Sequence, residues 1–172
     1  MRRKQMKKIA KFEKVSFKQF ASAFEHMPEE EIQRIYDDIR LPKRATTGSA
    51  GYDFFCPQDL TLAPGESAKI ATGIRVWMEE DWVLKVYPRS GLGFKYRLQL
   101  NNTVGIIDSD YYNSDNEGHI FAKITNDTKE GKIVSLKKGD GFMQGIFVEY
   151  GITVDDEVSA LRNGGLGSTT KK

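Results

Sequence analysis

In Ile74-Arg75-Val76-Trp77-Met78 and Trp82-Val83-Leu84-Lys85-Val86-Tyr87, apolar and β-branched side chains crowd two short runs on either side of the charged Glu79-Glu80-Asp81. Runs this short and this rich in Val, Ile and Trp, parted by a polar turn, predict two strands joined as a hairpin. The same texture continues outward. Leu60-Thr61-Leu62 and Ala68-Lys69-Ile70 flank Ala63-Pro64-Gly65-Glu66, a second turn signal. Further runs occur at Leu98–Leu100, Ile120–Ile124, Ile133–Leu136 and Phe142–Glu149. Many short strands with close turn signals predict a mainly β fold, a sandwich, jelly roll or barrel. No regular strand–helix alternation is present, which excludes a parallel α/β sheet.

Upstream of Leu41 the pattern changes. Ser16 and Gln19 form a candidate capping box, and Phe17, Phe20, Ala21, Phe24 and Met27 recur at helical spacing. Pro28 interrupts. Glu29-Glu30-Glu31 then supplies an acidic first turn for a second helix, with Ile32, Ile35, Tyr36 and Ile39 as its apolar face. Such stripes are expected to pack on their own domain; the sharper alternative is a partner-binding surface.

The chain has 172 residues, 39% hydrophobic and 29% charged, which suits one globular domain with its own core. A formal net charge of +2 gives no case for direct nucleic-acid binding, and the basic residues near Arg2–Lys11 and at Lys171-Lys172 read as solvated tails. One cysteine, Cys56, excludes an intrachain disulfide and points to a reducing, cytoplasmic setting. No run of 18 apolar residues is present, so no membrane span is expected, and no secretory leader is read. His26 and His119 lack metal-ligand spacing, and no GxxxxGK[ST] loop occurs. Cys56 is expected as a small core filler and His119 as a surface loop residue.

What remains are five short, polar, glycine-marked segments: Ser49–Asp53, Pro88–Gly93, Gly105–Tyr111, Gly139–Gln144 and Arg162–Thr170. They contain the parts of a phosphate-ester site. Arg89 is a fork for phosphate, Ser90 and nearby amides are donors, and Gly91 permits close approach. Asp53 and Asp108 could hold a hard cation through water or activate a water. Tyr111 offers a flat face, and Arg162, Ser168 and Thr169 a second clamp on a lid-like segment.

The order and spacing of these segments resemble the five motifs of the trimeric deoxyuridine triphosphatase (dUTPase) family, roughly AGxD, PRSGLx, GxIDxDY, GDRxAQ and RGxxGFGSTG. They match at 50–53, 88–93, 105–111, 139–144 and 162–169. The resemblance implies a dUTPase-like jelly-roll or β-clip barrel over residues 1–160, with a short helical insertion at about 16–39 after a first strand in Lys8–Ser16. Residues 161–172 would form a flexible C-terminal arm that closes over an active site. The insertion suits a phage-like or Gram-positive-like variant. Residue by residue, Asp108 matches the aspartate that activates the attacking water. Tyr111 matches the aromatic packed on deoxyribose. Asn102, Ile106 and Ile107 match a hairpin that reads uracil. Arg89, Ser90 and Gly91 match the phosphate loop, and Asp53 a residue near Mg²⁺ that reaches it through water. Gln144 matches a ligand of the α-phosphate, and Arg162, Leu166, Gly167, Ser168 and Thr169 the arm. The implied partners are dUTP and two further copies of the chain, as a homotrimer with shared sites.

Four departures stand out. Leu166 replaces a usual Phe, Gly141 a usual Arg, and Asn163 a frequent Gly. Tyr112–His119 is longer than usual and suggests an extended hairpin tip. Two other readings stay open. A dCTP deaminase would need a glutamate base on the strand after the third motif, where Lys123 stands. A regulatory protein-binding module on the same scaffold would use the 16–39 segment and the 112–119 loop.

Overall fold

The computed structural model describes residues 6–160, Arg162 and Gly164. Twelve strands and three helices are set among the described residues: β1 Ala10–Lys14, α1 Phe17–Ala21, α2 Glu29–Asp37, β2 Lys43–Arg44, β3 Tyr52–Phe55, β4 Leu60–Leu62, β5 Ser67–Ala71, β6 Ile74–Met78, β7 Trp82–Pro88, α3 Ser90–Tyr96, β8 Leu98–Leu100, β9 Gly105–Ile107, β10 Phe121–Asn126, β11 Val134–Leu136 and β12 Gly141–Glu149. The β-run predictions hold within a residue or two. All strand pairs are antiparallel. The largest sheet runs β2-β3-β12-β7-β9, beside a three-stranded β5-β10-β8 and the pairs β1-β6 and β11-β4.

The two predicted hairpins are corrected. β6 and β7 are joined by a tight turn, with the Trp82 N–H donating to the Glu79 carbonyl at 3.1 Å. They nevertheless pair elsewhere, β6 with β1 and β7 with β12 and β9. β4 and β5 part in the same way, to β11 and β10. The cause is burial on both faces. Val83, Leu84 and Val86 are all buried, so β7 belongs inside a sheet with a partner on each side. The turns therefore act as corners between sheets, as a sandwich or barrel requires.

The apolar face of the helical segment packs inward. Phe20, Ile32, Ile35 and Ile39 join the same core as Phe54, Leu84 and Phe142. α1 is shorter than its periodicity suggests, because Ser22 ends it and turns its hydroxyl back to the Gln19 carbonyl at 2.7 Å. Phe24 and Met27 still pack on the core beyond its end. Only half of the predicted capping box forms within the segment: the Gln19 N–H donates to Ser16 Oγ at 3.1 Å. The other half comes from Glu117, which accepts from the Ser16 N–H at 2.7 Å and from its hydroxyl at 2.6 Å.

Cys56 is a buried core residue, as expected. His119 is not a surface residue; it is fully buried between Phe20 and Phe121, with ring centres 6.1 and 4.1 Å away. Its Nε2 accepts from the Gly73 N–H at 2.9 Å, while Nδ1 has no hydrogen-bond partner among the described residues. Burial pushes its pKa down from 6.5 to about 4, so the ring is neutral at pH 7. Gly73 has φ +69, and a Cβ there would meet the Phe20 ring at 3.2 Å, so the close fit of helix on sheet needs glycine.

Candidate active site

Two clusters gather the predicted residues. The first is built where β3, β7 and β12 lie side by side. Asp53 on β3 is in register with Gln144 on β12, and Arg89 follows the end of β7. Arg89 Nε lies 3.3 Å from Asp53 Oδ1. The guanidinium rests against Gly141, where a Cβ would come within 2.7 Å of Nη1. Gly141 therefore leaves Arg89 room to lie along β12, which gives the departure from the family pattern a local consequence. Gln144 is half-buried, and a Cβ at Gly51 would fall 2.7 Å from its side-chain oxygen. Ser90 and Gly91 open α3 and are exposed; among the described residues, nothing lies within 4 Å of where a Gly91 Cβ would stand. Arg89, Ser90 and Gly91 share an open cavity of about 350 Å³ with Lys95, Asp140 and Gly141.

The second cluster follows β9. Asp108 stands at the N-terminal flank of a 3₁₀ turn, Ser109–Asn113, without a side-chain cap hydrogen bond; Tyr111 in the turn is buried and Ile106 before it is exposed. Ile106, Ile107, Asp108, Tyr111 and Arg162 line a small cavity of about 70 Å³. Arg162 lies on the acidic turn of its own chain: it is hydrogen-bonded to Asp108, and its Nε donates to Asp110 Oδ1 at 2.7 Å. Its guanidinium sits 5.9 Å from the centre of the Tyr111 ring. Asp110 stands inside the third motif, but an arginine beside two aspartates is visible only in space.

Tyr111 is held at its hydroxyl, which donates to the His119 carbonyl at 2.8 Å and accepts from Asn116 Nδ2 at 2.8 Å. Burial raises its pKa. The 112–119 segment is therefore not an extended hairpin tip. It folds back over Tyr111, through Glu117 and Gly118 in left-handed conformations at φ 57 and 70. A Cβ on Gly118 would strike the Tyr111 carbonyl at 2.8 Å, so the return requires glycine.

Asn102 is exposed, in a turn between β8 and β9. Those strands pair with β10 and β7, so the turn spans two sheets and is not a paired hairpin. Among the described residues, the cavities of the Arg89 and Asp108 clusters share no lining residue. Leu166, Gly167, Ser168 and Thr169 lie outside the described residues, as does Asn163.

An antiparallel β body with an aspartate-flanked turn, a buried tyrosine and a separate arginine loop agrees with what the comparisons find. The chain belongs to the dUTPase family, whose model matches residues 37–170. It is 43% identical over 134 residues to the deoxyuridine 5'-triphosphate nucleotidohydrolase of Lactococcus lactis subsp. lactis (strain IL1403), covering 76% of this chain and 88% of that relative. It is similar to the crystal structure of the Streptococcus mutans dUTPase, with a TM-score of 0.62 and 33% identity over 84% of this chain and 98% of that one. The dUTPase of Staphylococcus aureus phage phi11 is also similar, at 25% identity and TM-score 0.58 over 73% of this chain and 92% of that one. The matched stretch begins at residue 37, so β1, α1 and nearly all of α2 precede it. No described helix is long and apolar enough to cross a membrane.

Proposed function

We propose that this chain hydrolyses dUTP to dUMP and pyrophosphate, with Asp108 as the general base and the sites shared among three copies of the chain in the cytoplasm. Family membership and the Asp108–Tyr111 turn carry the reaction assignment. Water attacks the α-phosphorus, its proton passes to Asp108, and the bond to the β-phosphate oxygen breaks to release pyrophosphate. The chemistry is positioning and charge stabilisation, with no covalent intermediate. Tyr111 packs on the deoxyribose and leaves no room for a 2′-hydroxyl, while Asn102 and the backbone at Ile106 and Ile107 read the uracil edge. Arg89, Ser90, Gly91 and Gln144 bind the phosphates. Arg162 leaves Asp108 for the triphosphate, and Leu166, Gly167, Ser168 and Thr169 close with it as an arm.

Among the described residues, no group of three or more His, Cys, Asp or Glu side chains could hold a metal. Asp53 is a single half-buried carboxylate beside Arg89. That donor set fits a Mg²⁺ carried mainly by the triphosphate, with Asp53 reaching it through water, rather than an all-protein cage. When bound, the ion neutralises phosphate charge and fixes the shape of the triphosphate.

One observation favours sharing: among the described residues, the phosphate-loop cavity and the Asp108 cavity of a single chain have no lining residue in common. Residues 150–160 hold no helix or strand, and Ile152, Val154 and Val158 are exposed; because Arg162 just beyond lies on Asp108 of its own chain, sharing requires the arm to leave that turn for a neighbour. The deaminase reading loses support because the exposed Lys123 faces Lys69 across the β10–β5 ladder. The regulatory reading keeps only the polar face of 16–39 for a partner, since the apolar face lies in the core.

Pyrophosphate release from dUTP, dCTP, dTTP and UTP tests the reaction; dUTP alone is expected to turn over well, and ammonia from dCTP would refute it. For sharing, Asp108→Asn protein is refolded together with a chain truncated after residue 161. Restored activity is expected, and mixed trimers no more active than either parent would refute it.

A further inference from the structure

The turn that carries Asp108 and Tyr111 is tied to the N-terminal segment at two points that the reaction does not use. Tyr111 and Tyr112 point opposite ways. The Tyr112 hydroxyl donates to Glu13 Oε2 on β1 at 2.6 Å. The same carboxylate accepts from Arg75 on β6 at 3.1 Å and pairs with Lys11 at 2.7 Å, while the Arg75 guanidinium stacks on the Tyr112 ring at 4.3 Å. Hydrogen bonds from Lys11 and Tyr112 hold the Glu13 carboxyl down at about 2, so the acceptor is charged throughout the working pH range. The second tie is Glu117, which grips the N–H and hydroxyl of Ser16 at the start of α1. Asn116 lies between the ties and His119 two residues beyond the second, and these two residues hold the Tyr111 hydroxyl. Glu13 and Ser16 both precede residue 37, where the family match begins.

We propose that Glu13 and Ser16 are positioning residues: acting through Tyr112 and Glu117, they hold the 108–119 turn at two points and so fix the ring of Tyr111, setting how strictly the site excludes a ribonucleotide. The proposal rests on the reading of Tyr111 as the sugar-packing residue. A ring pinned at its hydroxyl, on a turn tied at Tyr112 and Glu117, cannot retreat from a 2′-hydroxyl, whereas a loosened one can. Discrimination against one small added group depends on such fixed contact. The outward-facing half of the N-terminal segment then contributes to specificity without touching the nucleotide.

The test uses full-length protein and two side chains outside the catalytic machinery. Tyr112→Phe removes the hydroxyl and keeps the ring under Arg75. Ser16→Asp keeps a good helix cap while setting a carboxylate against Glu117. The readouts are kcat/KM for dUTP and for UTP, together with the melting temperature. The double variant is expected to lose about tenfold in dUTP-over-UTP preference, mainly through better use of UTP, with kcat on dUTP within about twofold of the parent. Each single variant should lose part of that factor. A double variant that melts lower but keeps the parental preference overturns the proposal, since the ties would then be structural only. Tyr111→Leu is measured alongside. If it loses the preference and the double variant does not, the clamp is wrong and the sugar reading stands. If Tyr111→Leu keeps the preference, the sugar reading fails and the clamp falls with it.

Discussion

The Asp108–His119 turn and the Arg89–Gly93 loop are the two halves of one proposed site, and the chain treats them in opposite ways. The turn is buried at Tyr111, Gly118 and His119 and tied at Glu13, Ser16 and Gly73. The loop is exposed at Arg89, Ser90 and Gly91, and its main side-chain tie is the pair between Arg89 and Asp53. The difference follows from the tasks. A group that moves a proton and a ring that judges a sugar need fixed geometry before the substrate arrives. A phosphate-binding segment at the start of α3 instead stays exposed, so that its side chains and amides remain open to the highly charged triphosphate.

The sharpest way to break this contrast is at the turn. Asp108→Asn is expected to lower kcat by about 10²- to 10⁴-fold, as loss of a general base does, while binding of a non-hydrolysable dUTP analogue stays near the parental value. Calorimetry and pyrophosphate release separate the two. Near-parental turnover would remove Asp108 from the chemistry.

The next effect is on stability. His119 is buried neutral, with its pKa lowered from 6.5 to about 4 by burial; Lys69 lowers it further and Glu117 partly offsets the shift. Between those values the unfolded chain binds the proton that the folded chain refuses. Stability is therefore complete above about pH 6.5 and falls as the pH drops towards 4, by about 3 kcal/mol if His119 acts alone. Urea unfolding from pH 7.5 to 4 measures it. His119→Gln keeps a hydrogen-bond acceptor and cannot titrate, so its profile should be flatter across that window. An equal slope in both proteins would show that carboxylates elsewhere dominate.

A smaller change is expected on the open side. Gly141→Arg restores the usual family residue, but its Cβ would collide with the Arg89 guanidinium and push it off β12. KM for dUTP should rise by about three- to tenfold, with kcat less affected, because the phosphate grip contributes binding. An unchanged KM would mean that Arg89 reaches the phosphates from another pose, and that its present contact with Asp53 is incidental.

Strand positions and the inward-facing stripe of Ile32, Ile35 and Ile39 were legible in the chain, since periodicity is a local property, while Asp108, Tyr111, Arg89 and Gln144 entered as candidates through motif order and the family resemblance. Strand partners were not. Ile74–Met78 and Trp82–Tyr87 read as a hairpin because a turn joins them, yet pairing is set by which faces are buried, and that depends on strands distant in sequence. His119 read as a loop residue because its neighbours Asn116, Glu117 and Gly118 are polar or glycine. Only the packed body shows that this polar run curls inward and buries the imidazole beneath Phe20 and Phe121.

The sequence by itself determined that this is an antiparallel β protein and that its helical segment packs inward, and its resemblance to the dUTPase family singled out the five segments proposed to meet the nucleotide. The tertiary structure alone decided that the third of these is clamped by Glu13 and Ser16, that Gly141 makes room for Arg89, and that Arg162 rests on Asp108 and Asp110. Each of these contacts joins residues from about 50 to about 100 positions apart. No local periodicity encodes such a separation, because the chain between them is brought back only by burial of a common core.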